Sequence, residues 1–364
     1  MISRILLTVI WICLVAAVPV RADQGRLYKI ATVAWAGWSP LHVAEAMGFW
    51  KEAGISVQVR DYDDPIVILE AIRAGRIDFA MDMAGTLVGL YMADTPVQAL
   101  AETNWSDGGD KIIVKRGGDI RQSLGQTVGV FLNMPSCLYF LGTYLKTRDL
   151  KIGDFRIVEV NPEDLTAQFV AGRIPVIVNY DPWATLALRQ GDGVVLATSA
   201  RFEGCIPECL WGYRDHLRQI PDEDVKKLLQ GWVRAARWVN EPANWPDYAR
   251  ILRTRTFRAN TPLTDDDLRR YLDGVGIHAP AFMLERNRNG GGLERYLVSL
   301  RAFLQENGLL KKDFQVRDIF DNRLITEVLA EELKATGLPV PGAPRPSGSA
   351  GTEPGRIETG GRAP

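Results

Sequence analysis

The sequence predicts an α/β protein with two similar lobes. Strand-like and helix-like segments alternate from Tyr28 to about Val178, the pattern of parallel sheets joined by right-handed crossovers. One block also recurs at a fixed offset of 97 positions. Asp64-Pro65 through Ala74-Gly75-Arg76-Ile77 to Asp82 aligns without a gap to Asn161-Pro162 through Ala171-Gly172-Arg173-Ile174 to Asn179. After Arg214 the texture becomes helical, with little strand signal.

The elements follow in order. Tyr28–Val33 reads as a strand, Pro40–Lys51 as a helix, and Ile55–Arg60 as a strand with alternating Ile55, Val57 and Val59. Asp64 is an N-cap with Pro65 at the first helical position, Ile68, Leu69 and Ile72 form the apolar stripe, and Gly75 ends the helix in a left-handed cap. Ile77–Met81 is then a buried strand. The second half repeats the grammar with Thr127–Val130, Pro135–Thr147, Arg156–Val160, the Asn161-capped helix ending at Gly172, and Ile174–Val178. Asp222–Asn240, Pro246–Arg255, Asp265–Gly274 and Leu293–Asn307 have helical spacing.

Composition narrows the function. The chain holds 43 basic and 44 acidic residues, a net charge of −1, which excludes a strongly basic nucleic-acid binder and a polybasic membrane-surface protein. Its 10 Trp, 10 Tyr and 12 Phe argue against wholesale disorder. Residues 1–22 read as a cleaved secretory signal. Arg4 precedes the apolar run Ile5–Val18, Pro19 breaks that run, and Val20 and Ala22 supply small residues before Asp23. Residues 336–364 are rich in Gly, Pro, Ser and Ala and read as a disordered tail. Export leaves the cysteines open to two readings. Cys205 and Cys209 either pair across Ile206, Pro207 and Glu208 or remain thiols.

Three segments resemble the periplasmic solute-binding proteins of ABC importers, in the nitrate, sulfonate and taurine branch, which is also similar to binders of thiamine-pyrimidine precursors. They are Ser39-Pro40-Leu41-His42-Val43-Ala44-Glu45-Ala46-Met47-Gly48-Phe49-Trp50-Lys51-Glu52-Ala53-Gly54-Ile55, then Ala74-Gly75-Arg76-Ile77-Asp78-Phe79-Ala80, and Ala171-Gly172-Arg173 through Asp181-Pro182-Trp183. Pro175 stands where the family usually has Asp, and Asp181 where it has Glu. The resemblance implies a two-lobed periplasmic-binding-protein-like (type II) fold. Residues 23–111 and 211–335 would form lobe one and residues 112–210 lobe two, with hinge segments near Asp110–Lys115 and Cys205–Trp211. It further implies a monomeric periplasmic carrier with a small-molecule ligand, an ABC permease and ATPase as partners, and no cofactor or nucleic acid.

Open α/β sheets bind at the carboxyl ends of their strands. The candidates there are Trp35, Trp38 and Ser39 after the first strand, then Asp82 and Thr86, then Glu102, Asn104 and Trp105. In the second half they are Asn133 and Ser136, which open a helix, and Asn179, Asp181 and Trp183 after the repeated strand. Helix starts with Ser39, Thr86 and Ser136 beside them could hold an oxyanion, although Ser39 and Ser136 equally suit plain N-caps. Trp35 and Trp38 suit a pocket wall, Trp183 a wall or packing, and Trp105 packing. Asp82, Glu102 and Asp181 point away from nitrate or a simple sulfonate, towards an amine, amidine or ring N–H, though Asp181 before Pro182 also reads as a cap. Arg201 could neutralise one of these acids or bind an anionic group.

An enzyme is the main rival. The pyrimidine-synthase-like branch of this fold needs a cysteine cluster that the chain lacks, and His42, His216 and His278 form no metal motif. A ligand-presenting sensory protein is the third reading.

Overall fold

A computed structural model describes residues 26–63, 65–131, 134–258 and 263–337. The expected signal at 1–22, the Asp64 cap, Asn133 and nearly all of the expected tail lie outside them.

Eleven strands among these residues form two mixed sheets: β1 (Leu27–Thr32), β2 (Ser56–Asp61), β3 (Phe79–Met83), β4 (Val97–Ser106), β5 (Asp110–Lys115), β6 (Thr127–Phe131), β7 (Arg156–Val160), β8 (Val176–Tyr180), β9 (Gly193–Thr198), β10 (Pro207–Tyr213) and β11 (Val275–Ile277). The first sheet has the order β11-β4-β10-β3-β1-β2 and the second β7-β6-β8-β5-β9. Three strands in each are parallel, β2-β1-β3 and β7-β6-β8, so the sequence repeat becomes a repeat of strand order. Beside each third strand lies an antiparallel one, β10 or β5, which enters the sheet from the other half of the molecule. The chain passes from β4 to β5 through 107–109 and from β9 to β10 through 199–206.

Local chemistry sets these boundaries. Gly75 and Gly172 adopt φ of 66° and 72°, the left-handed conformation that ends both repeat helices. Asn161 accepts from the Asp164 amide at 2.9 Å, and Pro162 opens the helix. The helix expected over Pro40–Lys51 is divided into Pro40–Ala46 and Phe49–Glu52, because Gly48 at φ 74° turns the chain between them. β3 begins two residues later than expected and carries Asp82 inside the strand. The C-terminal helices cover the first sheet. In Asp222–Val239, Gly231 leaves room for the Trp50 indole, which donates to the Leu228 carbonyl at 3.0 Å, and a Cβ at Gly231 would sit 2.0 Å from Trp50 Nε1. No helix among the described residues is long and apolar enough to cross a membrane.

Candidate functional site

A cavity of about 290 Å³ opens where the carboxyl ends of strands from both sheets converge. The first sheet contributes Trp35 and Trp38 after β1, Asp82 and Met83 at the end of β3, and Glu208 near the start of β10. The second contributes Asp110 at the start of β5, Phe131 and Tyr180 at the ends of β6 and β8, and Glu163 and Trp183 in the first turns of helices Pro162–Val170 and Trp183–Gln190.

The walls are aromatic. Tyr180 meets Trp35 edge-on at 5.7 Å and Phe131 at 4.9 Å, so a continuous set of rings spans the two sheets. Two glycines allow this. A Cβ at Gly109 would lie 2.4 Å from the Trp35 ring, and one at Gly37 would lie 2.7 Å from Trp35 Nε1 and 2.3 Å from Asn104 Nδ2.

The polar groups are mostly acids. Glu208, 2% exposed, accepts on Oε2 from Trp35 Nε1 at 2.8 Å and from Asn104 Nδ2. Loss of water pushes its carboxyl up to about 8, although these donors oppose the shift. Burial likewise raises Asp110 to about 7 against the pull of Ser106 and Lys111, and Asp82 to about 6 against the Met83 amide, which reaches Asp82 Oδ1 at 2.8 Å. Among the described residues Asp110 Oδ1 and Trp38 Nε1 are buried without hydrogen-bond partners. Asp63 and Glu163 bring the lining carboxyls to five, and no Lys or Arg among the described residues lines the cavity.

Of the residues singled out by sequence, Trp35, Trp38, Asp82 and Trp183 meet at this cavity. The others are engaged elsewhere. Ser39 Oγ donates to the Ala36 carbonyl and accepts from the Tyr248 hydroxyl, both at 2.6 Å, and makes no cap bond. Thr86 and Ser136 lie inside helices Ala84–Met92 and Met134–Lys146 and neither lines the cavity; Ser136 faces Gly85 in the seam between the helices, while the Thr86 hydroxyl sits beside Asp82 and pulls its carboxyl down. Glu102, Asn104 and Trp105 sit within β4, which is longer than the sequence suggests. Glu102 is fully buried against Arg286 Nε at 2.8 Å and His278 Nε2 at 3.0 Å. Trp105 packs edge-on to His278 and Phe282. Asn104 reaches the cavity only through Glu208. Asn179 donates to the Pro162 carbonyl and Thr166 Oγ1, tying β8 to the preceding helix, Pro162–Val170. Asp181 pairs with Lys111 and accepts from the Thr185 amide at 3.0 Å, so it caps and braces rather than lining the cavity. Arg201 is exposed, with its guanidinium over Phe202. Cys205 and Cys209 are free thiols that pack into different cores, Cys205 with the second sheet and Cys209 with the first.

A model of the NMT1-like family matches residues 23–253. The chain belongs to the NMT1-like family. Among curated proteins it is 22% identical over 278 residues to the nitrate import ATP-binding protein of Synechococcus elongatus, a match covering 71% of this chain and 42% of that protein. The NMT1-like chain therefore spans less than half the length of that relative. Among solved structures it resembles the periplasmic nitrate-binding protein of Synechocystis (17% identity, TM-score 0.66, 86% of this chain and 91% of that one). It also resembles the periplasmic aliphatic sulphonate-binding protein of Escherichia coli (16%, TM-score 0.64, 82% and 99%). A ligand-binding component of an ABC-type import system from Staphylococcus aureus is a third (13%, TM-score 0.66, 83% and 99%). These likenesses show a shared two-lobed binding-protein fold.

Sequence reasoning missed Glu208, Asp110, Phe131 and Tyr180 in this NMT1-like site. Asp110 carried a signal, an acid two positions before the apolar run Ile112–Val114. Glu208 also carried one, an acid leading into Cys209-Leu210-Trp211.

Proposed function

We propose that this protein is the exported, non-enzymatic solute-binding component of an ABC import system, and that its solute is a small planar cation or hydrogen-bond donor of the amine, amidine or amino-heterocycle class. The observation that carries the reading is the cavity lining: five carboxyl side chains and five aromatic rings, with no Lys or Arg among the described residues. An aromatic slot attracts a flat cation, and buried carboxyls need a donor or counter-charge. Nitrate or a sulfonate would meet acids there and no cationic side chain among the described residues. The resemblance to periplasmic nitrate- and sulphonate-binding proteins supports a delivery role and a periplasmic location.

In this reading the bounds expected at 111/112 and 210/211 move to the crossings, because β5 belongs to the second sheet and β10 to the first: residues 23–106 with 207–335 form one lobe and 110–198 the other. The two chain crossings, 107–109 and 199–206, act as the hinge, and the lobes close on the ligand. The carrier acts as a monomer and hands its solute to a permease and its ATPase.

Thermal-shift measurements on the purified protein test the solute class. Nitrate and alkanesulfonates should leave the melting temperature unchanged, while amines, amidines and aminopyrimidines should include stabilising compounds. Stabilisation by an anion alone would overturn the assignment.

A further inference from the structure

Among the described residues the acids of the cavity make no ion pair, and the nearest cation, Lys111 beside Asp110, is itself engaged. Glu208 takes two neutral donors, Trp35 and Asn104, and Asp82 takes the Met83 amide with the Thr86 hydroxyl beside it. Asp110 is 3% exposed and its Oδ1 meets no donor among the described residues. The groups packed around them add negative or neutral character. Asp63 and Glu163 line the same space. Tyr180, Cys137 and Cys205, which feel the Asp110 charge, are held neutral by burial. Lys111, next to Asp110, is engaged by Asp181 and the Gly109 carbonyl. Asp63 and Glu163 are exposed and stay solvated, but Asp110 and Glu208 are buried and Asp82 partly so, and these three cannot all ionise side by side without a counter-charge.

We propose that the unliganded protein holds at least one proton among Asp82, Asp110 and Glu208 and releases it to solvent as a cationic ligand enters, so that capture exchanges a proton for a cation. This inference rests on the cation reading above. In the exchange one carboxyl O–H bond breaks, its proton goes to the buffer, and the carboxylate left behind pairs with the ligand. Burial places these carboxyls at about 6, 7 and 8, so the exchange spans neutral pH. Capture tightens as pH rises, and acidification favours release.

The test uses benzamidinium, a flat aromatic cation that stays charged across this range, and the purified protein. Infrared difference spectra at about pH 7 should show a protonated-carboxyl stretch that disappears on binding and is reduced in Glu208→Gln. Asp110→Asn supplies the same comparison if the first variant does not fold. Calorimetry in phosphate and in Tris should read about one proton released per cation, with affinity rising by up to about tenfold per pH unit between about pH 6 and 8. Benzamidinium that binds with no proton release and no pH dependence overturns the exchange and leaves the cation reading standing. A protein with no protonated-carboxyl band at pH 7 overturns it whatever ligand binds. Binding of sulfonate or nitrate alone overturns both.

Discussion

Gly37 occupies the tightest point of the cavity wall. A methyl group there would press on both donors that hold Glu208, at 2.3 Å from Asn104 Nδ2 and 2.7 Å from Trp35 Nε1. Neither donor has room to yield, because Trp35 already lies against Gly109 and Asn104 Oδ1 is held by the Thr103 hydroxyl at 2.8 Å. Gly37→Ala should therefore cost about 1–3 kcal/mol of stability, the usual range for overpacking, and weaken benzamidinium binding at least about tenfold. Calorimetric melting and titration of the same variant check both, and a variant with wild-type affinity would show that the Trp35–Glu208–Asn104 arrangement does not shape the site. At this scale sequence reading succeeds where a residue's job is local and fails where it is relayed. Trp35 and Trp38 directly follow a readable strand. Glu208 sits between two cysteines, where attention goes to a loop closed by a disulfide, and only its pairing across β10 to β3 and β4 brings it to the cavity. Glu102 makes the opposite case: it looks like a ligand group and is consumed by Arg286 and His278.

Between the sheets, helices Ala84–Met92 and Met134–Lys146 meet at a seam of small residues. A Cβ at Gly85 would lie 2.7 Å from the Ser136 amide nitrogen, whereas one at Gly89 would lie 3.3 Å from the Pro135 ring. Replacing an interior helical Gly by Ala ordinarily gains about 1 kcal/mol. At Gly89 a shift of a few tenths of an ångström preserves that gain, so Gly89→Ala should be neutral or stabilising. At Gly85 the clash is with backbone, and overpacking of about 1–3 kcal/mol outweighs the helix gain. Urea unfolding should show a lower midpoint for Gly85→Ala than for Gly89→Ala, and equal midpoints would mean that the seam is loose. The elements carried by their own turns and caps, such as the two repeat helices ending at Gly75 and Gly172, are legible from sequence. β5, β9 and β10 are not, because their apolar runs gain strand identity only by pairing with residues far away in the chain.

For the molecule as a whole, the cavity acids and the outer acids pull stability in opposite directions with pH. Unfolded Asp and Glu titrate near about 3.9 and 4.3. Asp82, Asp110 and Glu208 titrate at about 6, 7 and 8 in the fold, so between about pH 4 and 8 the native state binds more protons than the unfolded chain. Unfolding free energy then falls as pH rises through that window. Asp61 has the reverse sign. Burial raises it, but the hydrogen bond from His42 and the guanidinium groups of Arg258 and Arg255 outweigh burial and hold it below the ordinary value. Its contribution is present above about pH 4 and lost on further acidification. Surface acids such as Asp313, paired with Arg301, act in the same direction with screened and smaller effect. The two limbs give a stability maximum on the acid side of neutrality, near about pH 5, with a decline towards pH 8. Asp110→Asn should flatten the decline without moving the acid limb, and a saturating cation should flatten it in the wild type by replacing the missing counter-charge. Melting temperatures at half-unit pH steps, with and without benzamidinium, distinguish these curves. A wild-type profile that rises from pH 6 to 8 would mean that the cavity acids are already neutralised, and the site would then have to be sought in another group of residues.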